Sequence, residues 1–213
     1  MKDFETIYKK VKKMAPEHHF EFKNDPFWIL ITTILSHRTK DKTTDEAARS
    51  LYNTYRDSYG LENADAGDIK KIIKNVGFSN VKSKRLIEVS KIINHNYGGK
   101  VPDSHDELIK IPGVGSKTAN IVLTQGYDIP ALAVDTHVFR ISNRIGLVKT
   151  KNPDETEEAL KKIIPVKDQI EFNPVFVEFG KNICKPVSPK CDVCLLTKCC
   201  DYYINGKEIK NKK

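Results

Sequence analysis

Residues 108–137, LIKIPGVGSKTANIVLTQGYDIPALAVDTH, leave this chain few ways to fold. The amphipathic run Leu108-Ile109-Lys110-Ile111 breaks at Pro112-Gly113-Val114-Gly115, and Ala119, Val122 and Leu123 then recur at helical spacing. Two helices joined by so short a glycine-rich hairpin leave the N–H groups of Gly113 and Gly115 pointing outward, with no intrahelical partner. N–H groups at a helix N-terminus suit an anion, and a sequence-blind reader of nucleic acid needs contacts to phosphate. Lys117 falls in the first turn behind the hairpin. There the positive end of the helix dipole disfavours an ammonium, and partial burial would push the same way, toward a nucleophilic amine. Asp135 follows eighteen positions later and opens Asp-Thr-His before the next helical pattern. Spacing alone does not separate Lys117 from an ordinary surface lysine, nor this hairpin from those of many binding modules. Their combination is more specific.

The rest of the chain reads as helices and connectors. Phe4, Ile7, Val11 and Met14 share one stripe, and Pro16 ends that helix. Asp25-Pro26 starts a new one, and PFWILITTILS is apolar all round, as a buried helix would be. A helix carrying Ala47, Ala48, Leu51 and Tyr55 follows, then a short one over 65–75, then a long one through Leu86, Val89, Ile92 and Ile93 that stops at Gly98-Gly99. Ser104 to Glu107 reads as a capping box for the first hairpin helix. Asn152-Pro153-Asp154-Glu155 is a further helix start, and a last long helix covers about 168–182. No stretch alternates with period two between hairpin turns. The expected class is all-α, without internal repeats.

All five cysteines lie between 184 and 200, and Cys184, Cys191, Cys194 and Cys200 follow a C-x6-C-x2-C-x5-C spacing. An odd number crowded at one end of a chain without a signal peptide points to a metal site rather than a disulfide framework. Four thiolates in one loop can wrap a soft metal centre. A four-cysteine zinc site usually pairs two short knuckles, and this loop has one. Chemistry alone does not choose between Cys199 and Cys200. The net charge of +8 permits a polyanionic partner, and the most apolar run, Phe27 to Leu35, is too short to span a bilayer. An intracellular monomer, associated with the nucleoid rather than a membrane, is the expectation.

LIKIPGVGSKTANIVL followed by AVDTHVFRISNRIGLV resembles the helix-hairpin-helix and catalytic segment of the endonuclease III family of DNA glycosylases. The resemblance covers nearly the whole chain. It implies a six-helix barrel-like domain over 22–131 and a second helical domain built from 1–21 and 132–213, flanking a cleft. It implies Lys117 and Asp135 as catalytic residues, with Gly113, Val114 and Gly115 on DNA phosphate. It also implies a [4Fe–4S] cluster on Cys184, Cys191, Cys194 and Cys200, the last chosen on family spacing, in a loop that presents Lys185 and Lys190 to DNA. A base flipped out of duplex leaves a gap to fill. The resemblance places the wedges at Arg38 and Phe78, with glutamine in many relatives where Arg38 stands, and a helix cap and a core contact are the alternative roles. His37 is a candidate pocket residue, and His137 stays outside the catalytic set. Lys82 and Lys84 are expected on one side of the long helix as solvated lysines able to support phosphate binding.

The expected activity is a bifunctional glycosylase and AP lyase acting on double-stranded DNA with oxidised or ring-saturated pyrimidines, such as thymine glycol, or with abasic sites. Monofunctional mismatch-acting relatives carry a different residue at the lysine position, and adenine-removing ones have a further C-terminal domain. A non-catalytic iron–sulfur DNA-binding protein would not require both Lys117 and Asp135.

Overall fold

The computed structural model describes residues 2–211, with the side chains of residues 2–206. Its regular elements are all helical: α1 (Phe4–Met14), α2 (Pro26–Ser36), α3 (Asp41–Tyr55), α4 (Ser58–Glu62), α5 (Ala66–Ile72), α6 (Ser79–Tyr97), α7 (His105–Leu108) and α8 (Ser116–Ile121). A π-helical turn, Val122–Gly126, continues α8; α9 (Thr136–Ile145), α10 (Pro153–Lys161), α11 (Val166–Asn182), a 3-10 turn at Cys191–Val193 and α12 (Asp201–Asn211) complete the chain. No described helix is long and apolar enough to cross a membrane.

Local chemistry sets most boundaries. Asp25 caps α2 by accepting from the Trp28 N–H at 3.1 Å, with Pro26 in the first turn. Gly98 ends α6 in the left-handed region, at φ +61°. At α10 the N-cap Asn152 accepts from the Glu155 N–H at 2.8 Å, and the Glu155 carboxylate reaches back past the cap to accept from the Lys151 N–H at 3.0 Å. The box expected at α7 does not form. Ser104 stands at the N-cap without a side-chain cap bond, and Glu107 is held by Lys110 and by Tyr97 instead. Helix α4, capped by Asp57 through the Gly60 N–H at 2.9 Å, is one that periodicity passes over.

The chain divides into two compact units, Phe20–Ala131 and the pairing of Met1–His19 with Leu132–Lys213. In the contiguous unit α2 packs on α3, α6, α8 and the π turn. Neighbours on every side explain why its sequence is apolar all round: Phe27 to Ile31, Ile34 and Leu35 are buried. Thr33 Oγ1 donates to the Ile29 carbonyl at 2.7 Å and Trp28 Nε1 to the Arg56 carbonyl at 2.8 Å, whereas the buried Thr32 Oγ1 has no hydrogen-bond partner among the described residues. The π turn lies so close that a Cβ on Gly126 would stand 2.9 Å from Pro26 Cα.

In the discontinuous unit α11 packs on α1 and α9, and α9 also meets α10 and α12. Phe172, Phe176 and Phe179 of α11 meet Phe4, Ile7, Tyr8 and Val11 of α1 and Val138, Ile141 and Ile145 of α9. Burying side chains of this size contributes on the order of 2 kcal/mol each. This core ties the two ends of the chain together. Leu196, from the cysteine loop, is buried in the same core.

Candidate functional site

In the contiguous unit the hairpin between α7 and α8 is closed by its own backbone. The Val114 N–H donates to the Ile111 carbonyl at 3.0 Å, and Gly115 gives α8 its first carbonyl, accepting from the Ala119 N–H at 3.0 Å. Gly113 takes φ +83°, which favours glycine, and Gly115 has open space where a Cβ would be. These two glycines are exposed, whereas Val114 is 6% exposed and turned inward. Val114 therefore anchors the hairpin, and its N–H is already engaged. His105 Nε2 and Ser116 Oγ, 3.1 Å apart, fasten α7 to the start of α8. Lys117 is half-buried in the first turn of α8, beside the buried Thr118.

Thr118 leads to the end of α2. Its Oγ1 lies 3.4 Å from His37 Nε2. The His37 imidazole is held below its ordinary pKa, first by desolvation and then by the charges of Lys117 and Lys82. It is thus a neutral ring among cations, although much of the residue remains exposed.

Arg38 and Phe78 lie in the two loops that flank this point, and the fold brings them together. The Arg38 guanidinium sits over the Phe78 ring, 5.6 Å from its centroid, and Phe78 is 60% exposed. Both residues have left-handed backbone, at φ +53° and +61°. Strain of this kind costs roughly 1–3 kcal/mol per residue and persists only where its surroundings over-determine it. Those surroundings are visible. The Gly77 N–H donates to Thr39 Oγ1 at 3.2 Å, and a Cβ on Gly77 would stand 2.5 Å from the Arg38 carbonyl oxygen.

Lys82 completes the junction. It is 7% exposed, and its ammonium donates to the carbonyls of Leu35 at 2.7 Å and His37 at 2.6 Å and to Thr39 Oγ1 at 3.2 Å. Burial pushes its pKa down to about 8, while acceptors at the negative end of α2 pull the other way. The expectation of two solvated lysines on one side of α6 is corrected here. Lys84 is exposed, but Lys82, two residues earlier on the helix, is on the buried face and bonded to protein.

In the discontinuous unit Asp135 is the N-cap of α9, accepting from the Val138 N–H at 2.8 Å, and is half-buried. The segment before it is pinned by the buried Asn173, whose Nδ2 donates to the Ala133 carbonyl at 2.8 Å. His137 meets Arg140 at 3.2 Å, and Gly180 passes so near that a Cβ there would stand 2.4 Å from its Nδ1.

Cys184, Cys191, Cys194 and Cys200 are half-buried in the same unit. Burial pushes the thiols of Cys191, Cys194 and Cys200 up, and the neighbouring cysteines add to it: Cys184 on Cys191, and Cys184 and Cys191 on both Cys194 and Cys200. Backbone N–H groups oppose this at two of the sulfurs, Leu196 at Cys194 and Tyr203 and Tyr202 at Cys200. Cys199 Sγ faces the Leu196 carbonyl and Cys200 Sγ the Arg144 carbonyl, each at 3.4 Å. The surroundings suit thiolates, with N–H groups at two of the sulfurs and a guanidinium at a third. Among the described residues no three possible ligands stand close enough, as placed, to hold a metal ion.

The guanidinium belongs to a residue that sequence reasoning missed. Arg144 donates to the carbonyls of Lys185 at 2.7 Å and Pro186 at 2.8 Å, and its Nη1 lies 3.8 Å from Cys184 Sγ. Arg140, one turn earlier, donates to the Cys184 carbonyl at 3.0 Å. The signal available was two arginines four apart on α9. The loop they clamp carries Lys185, half-buried, and Lys190, exposed, whose N–H groups share the Ile183 carbonyl at 3.0 Å each.

Comparison with known proteins follows the same pattern across both units. Residues 31–166 match the family described as HhH-GPD superfamily base excision DNA repair protein. Endonuclease III of Thermotoga maritima is 48% identical over 98% of this chain and 98% of its own length. A non-covalent endonuclease III–DNA complex superposes with a TM-score of 0.89 at 31% identity, covering 96% of each chain. A trapped endonuclease III–DNA covalent intermediate gives 0.89 and 31% as well, covering 97% of this chain and all of that one. The chain therefore belongs to the HhH-GPD superfamily of base excision DNA repair proteins and, within it, to the endonuclease III family of DNA glycosylases.

Proposed function

We propose that the chain is a bifunctional DNA glycosylase and AP lyase, acting as a monomer inside the cell on double-stranded DNA that carries oxidised or ring-saturated pyrimidines or abasic sites. The observation that carries this reading is Lys117, held half-buried in the first turn behind a hairpin that exposes Gly113 and Gly115. The relative trapped as a covalent intermediate with DNA, alike across 97% of this chain, supports it.

Phosphate binds at the hairpin glycines, with Lys185 and Lys190 adding salt-sensitive contacts. The damaged nucleotide leaves the stack, and Arg38 and Phe78 fill the gap. The Lys117 Nζ lone pair bonds to C1′ while the N-glycosidic bond breaks, its electron pair leaving with the base, which takes a proton. Asp135 stabilises positive charge developing on the sugar and accepts the proton that Lys117 sheds. The nitrogen lone pair then opens the C1′–O4′ bond, O4′ taking a proton as the protonated imine forms; the imine acidifies the C2′ hydrogen, and its loss to a base drives β-elimination, in which the C3′–O bond breaks and the 3′ phosphate leaves. Cys184, Cys191, Cys194 and Cys200 would hold a [4Fe–4S] cluster, which supplies a fixed cross-link for the loop bearing Lys185 and Lys190.

Borohydride trapping on duplexes carrying thymine glycol, an abasic site or a T/G mismatch tests this reading. The wild type should trap on thymine glycol, and Lys117→Gln should bind the same DNA without trapping. A variant that still traps would sink the assignment of Lys117.

A further inference from the structure

Helix α6 starts at the loop that carries Phe78, and Arg85, in its second turn, reaches the hairpin between α7 and α8. A Cβ on Gly113 would stand 3.4 Å from both Cδ and Nε of Arg85 and 3.7 Å from its Cζ. The guanidinium therefore lies against the turn where a side chain would otherwise be. Gly113 is exposed together with Gly115, so the cation borders an open stretch of backbone. Arginine stems often rest on apolar surface while the head stays in water. Here the head itself, through Nε and Cζ, is set beside a glycine, which offers little apolar area to cover. The charge is only loosely matched. Arg85 Nη1 lies 3.3 Å from Glu88 Oε2, three residues on, and the Glu88 side chain is 50% exposed. An ion pair so open to water is weak and readily exchanged.

We infer that Arg85 is a phosphate ligand at the hairpin, and that Glu88 is the counter-ion it exchanges for DNA. The inference rests on the reading that Gly113 and Gly115 meet DNA phosphate, and it adds a cation beside them. Backbone N–H groups are neutral donors, so a phosphate held by them alone keeps its charge. A guanidinium is always charged, and its planar fork matches two oxygens of a phosphate as it matches those of a carboxylate. The exchange is thus like for like: the stem stays against Gly113 while the fork changes partner. Seven residues of helix, roughly 10 Å, separate Arg85 from Phe78, the wedge of the proposed function. Lys82, between them in sequence, pins the same helix to the end of α2. One anchored element then carries both the grip on the backbone and the wedge.

The full chain, loaded with its cluster, is titrated with a duplex holding a tetrahydrofuran abasic analogue, from about 50 to about 200 mM salt. Each phosphate contact contributes about 0.9 to the slope of log affinity against log salt. Arg85→Ala should bind about tenfold more weakly at the low end and lower the slope by about 0.9. Lys91→Ala, at an exposed position further along α6, should leave the slope unchanged. Arg85→Lys, which keeps the charge without the fork, should keep the slope and bind more weakly than wild type. Glu88→Gln should bind about threefold more tightly, the scale of an exposed ion pair removed, and this gain should vanish in the Arg85→Ala background. Equal gains in both backgrounds would mean that Glu88 merely repels DNA, and would overturn the exchange. A wild-type slope in Arg85→Ala would overturn the phosphate contact. Borohydride trapping on the same set of proteins separates the inference from the reading beneath it. Salt-dependent binding with the expected Arg85 effects but no trapping would overturn the lyase reading alone, whereas affinity indifferent to salt would overturn both.

Discussion

Replacing Asp135 separates what its side chain does for the fold from what its charge does for chemistry. Its carboxylate accepts from the Val138 N–H at 2.8 Å and so caps α9, whose Val138, Ile141 and Ile145 are buried in the discontinuous unit. Asparagine caps about as well as aspartate, so Asp135→Asn loses only the charge's favourable interaction with the helix N-terminus, about 0.5 kcal/mol. For a chain of this size that lowers Tm by roughly 1–2 °C. Alanine leaves the Val138 N–H without its acceptor and costs about 1–2 kcal/mol, or roughly 2–8 °C. Both variants lack the negative charge proposed to face the developing sugar cation. Removing one such electrostatic contact lowers a rate on the order of 10²–10³-fold. Thermal unfolding and single-turnover excision on thymine glycol, measured side by side, give the two readouts. Asp135→Asn should be nearly as stable as wild type and almost inactive. Activity within tenfold of wild type would refute the catalytic role, and a loss of 3 kcal/mol or more of stability would refute the capping argument.

Three further perturbations bear on the other parts of the molecule. Lys82 falls from 10.5 to about 8 on burial, so between these values the unfolded chain binds more protons than the folded one. Stability should therefore rise as pH climbs through that window, by up to about 3 kcal/mol, and Lys82→Met should lack this slope in chemical denaturation; equal slopes would refute the buried-ammonium account. Gly77→Ala sets a Cβ 2.5 Å from the Arg38 carbonyl oxygen, a backbone contact that no rotamer relieves. It should cost about 1–3 kcal/mol in denaturant, and unchanged stability would refute this close approach. Cys200→Ser should lose most of the iron and visible absorption of the purified protein, and Cys199→Ser should keep them, because the Tyr202 and Tyr203 N–H groups are set to stabilise a thiolate at Cys200; the reverse pattern would assign Cys199 as the ligand.

Helix class and most helix ends were legible in the residues themselves, because their causes act within a few positions. Asp25 with Pro26, Asn152 with Glu155, and Gly98 each satisfy or release backbone groups nearby, and each stands where the chain order places it. The apolar α2 announced its burial in the same way, since only a helix with neighbours on all sides tolerates that composition. The hairpin and the cysteine spacing were likewise visible as local patterns. Signals failed where a distant partner competes. Glu107 is taken by Tyr97 and Lys110, so the Ser104 box does not form, and Lys82 looks like any lysine until α6 packs against the end of α2.

The tertiary structure alone decided the rest. Arg38 and Phe78 are 40 positions apart, and nothing near either one specifies a left-handed backbone or a stacked partner. Arg144 and the Cys184 loop are equally remote, and α1 finds its partners only at α11. Periodicity and capping report which face of an element seeks burial, because that depends on the residues of the element itself. They do not report which other element supplies it, because that choice is made by the packing of the whole chain.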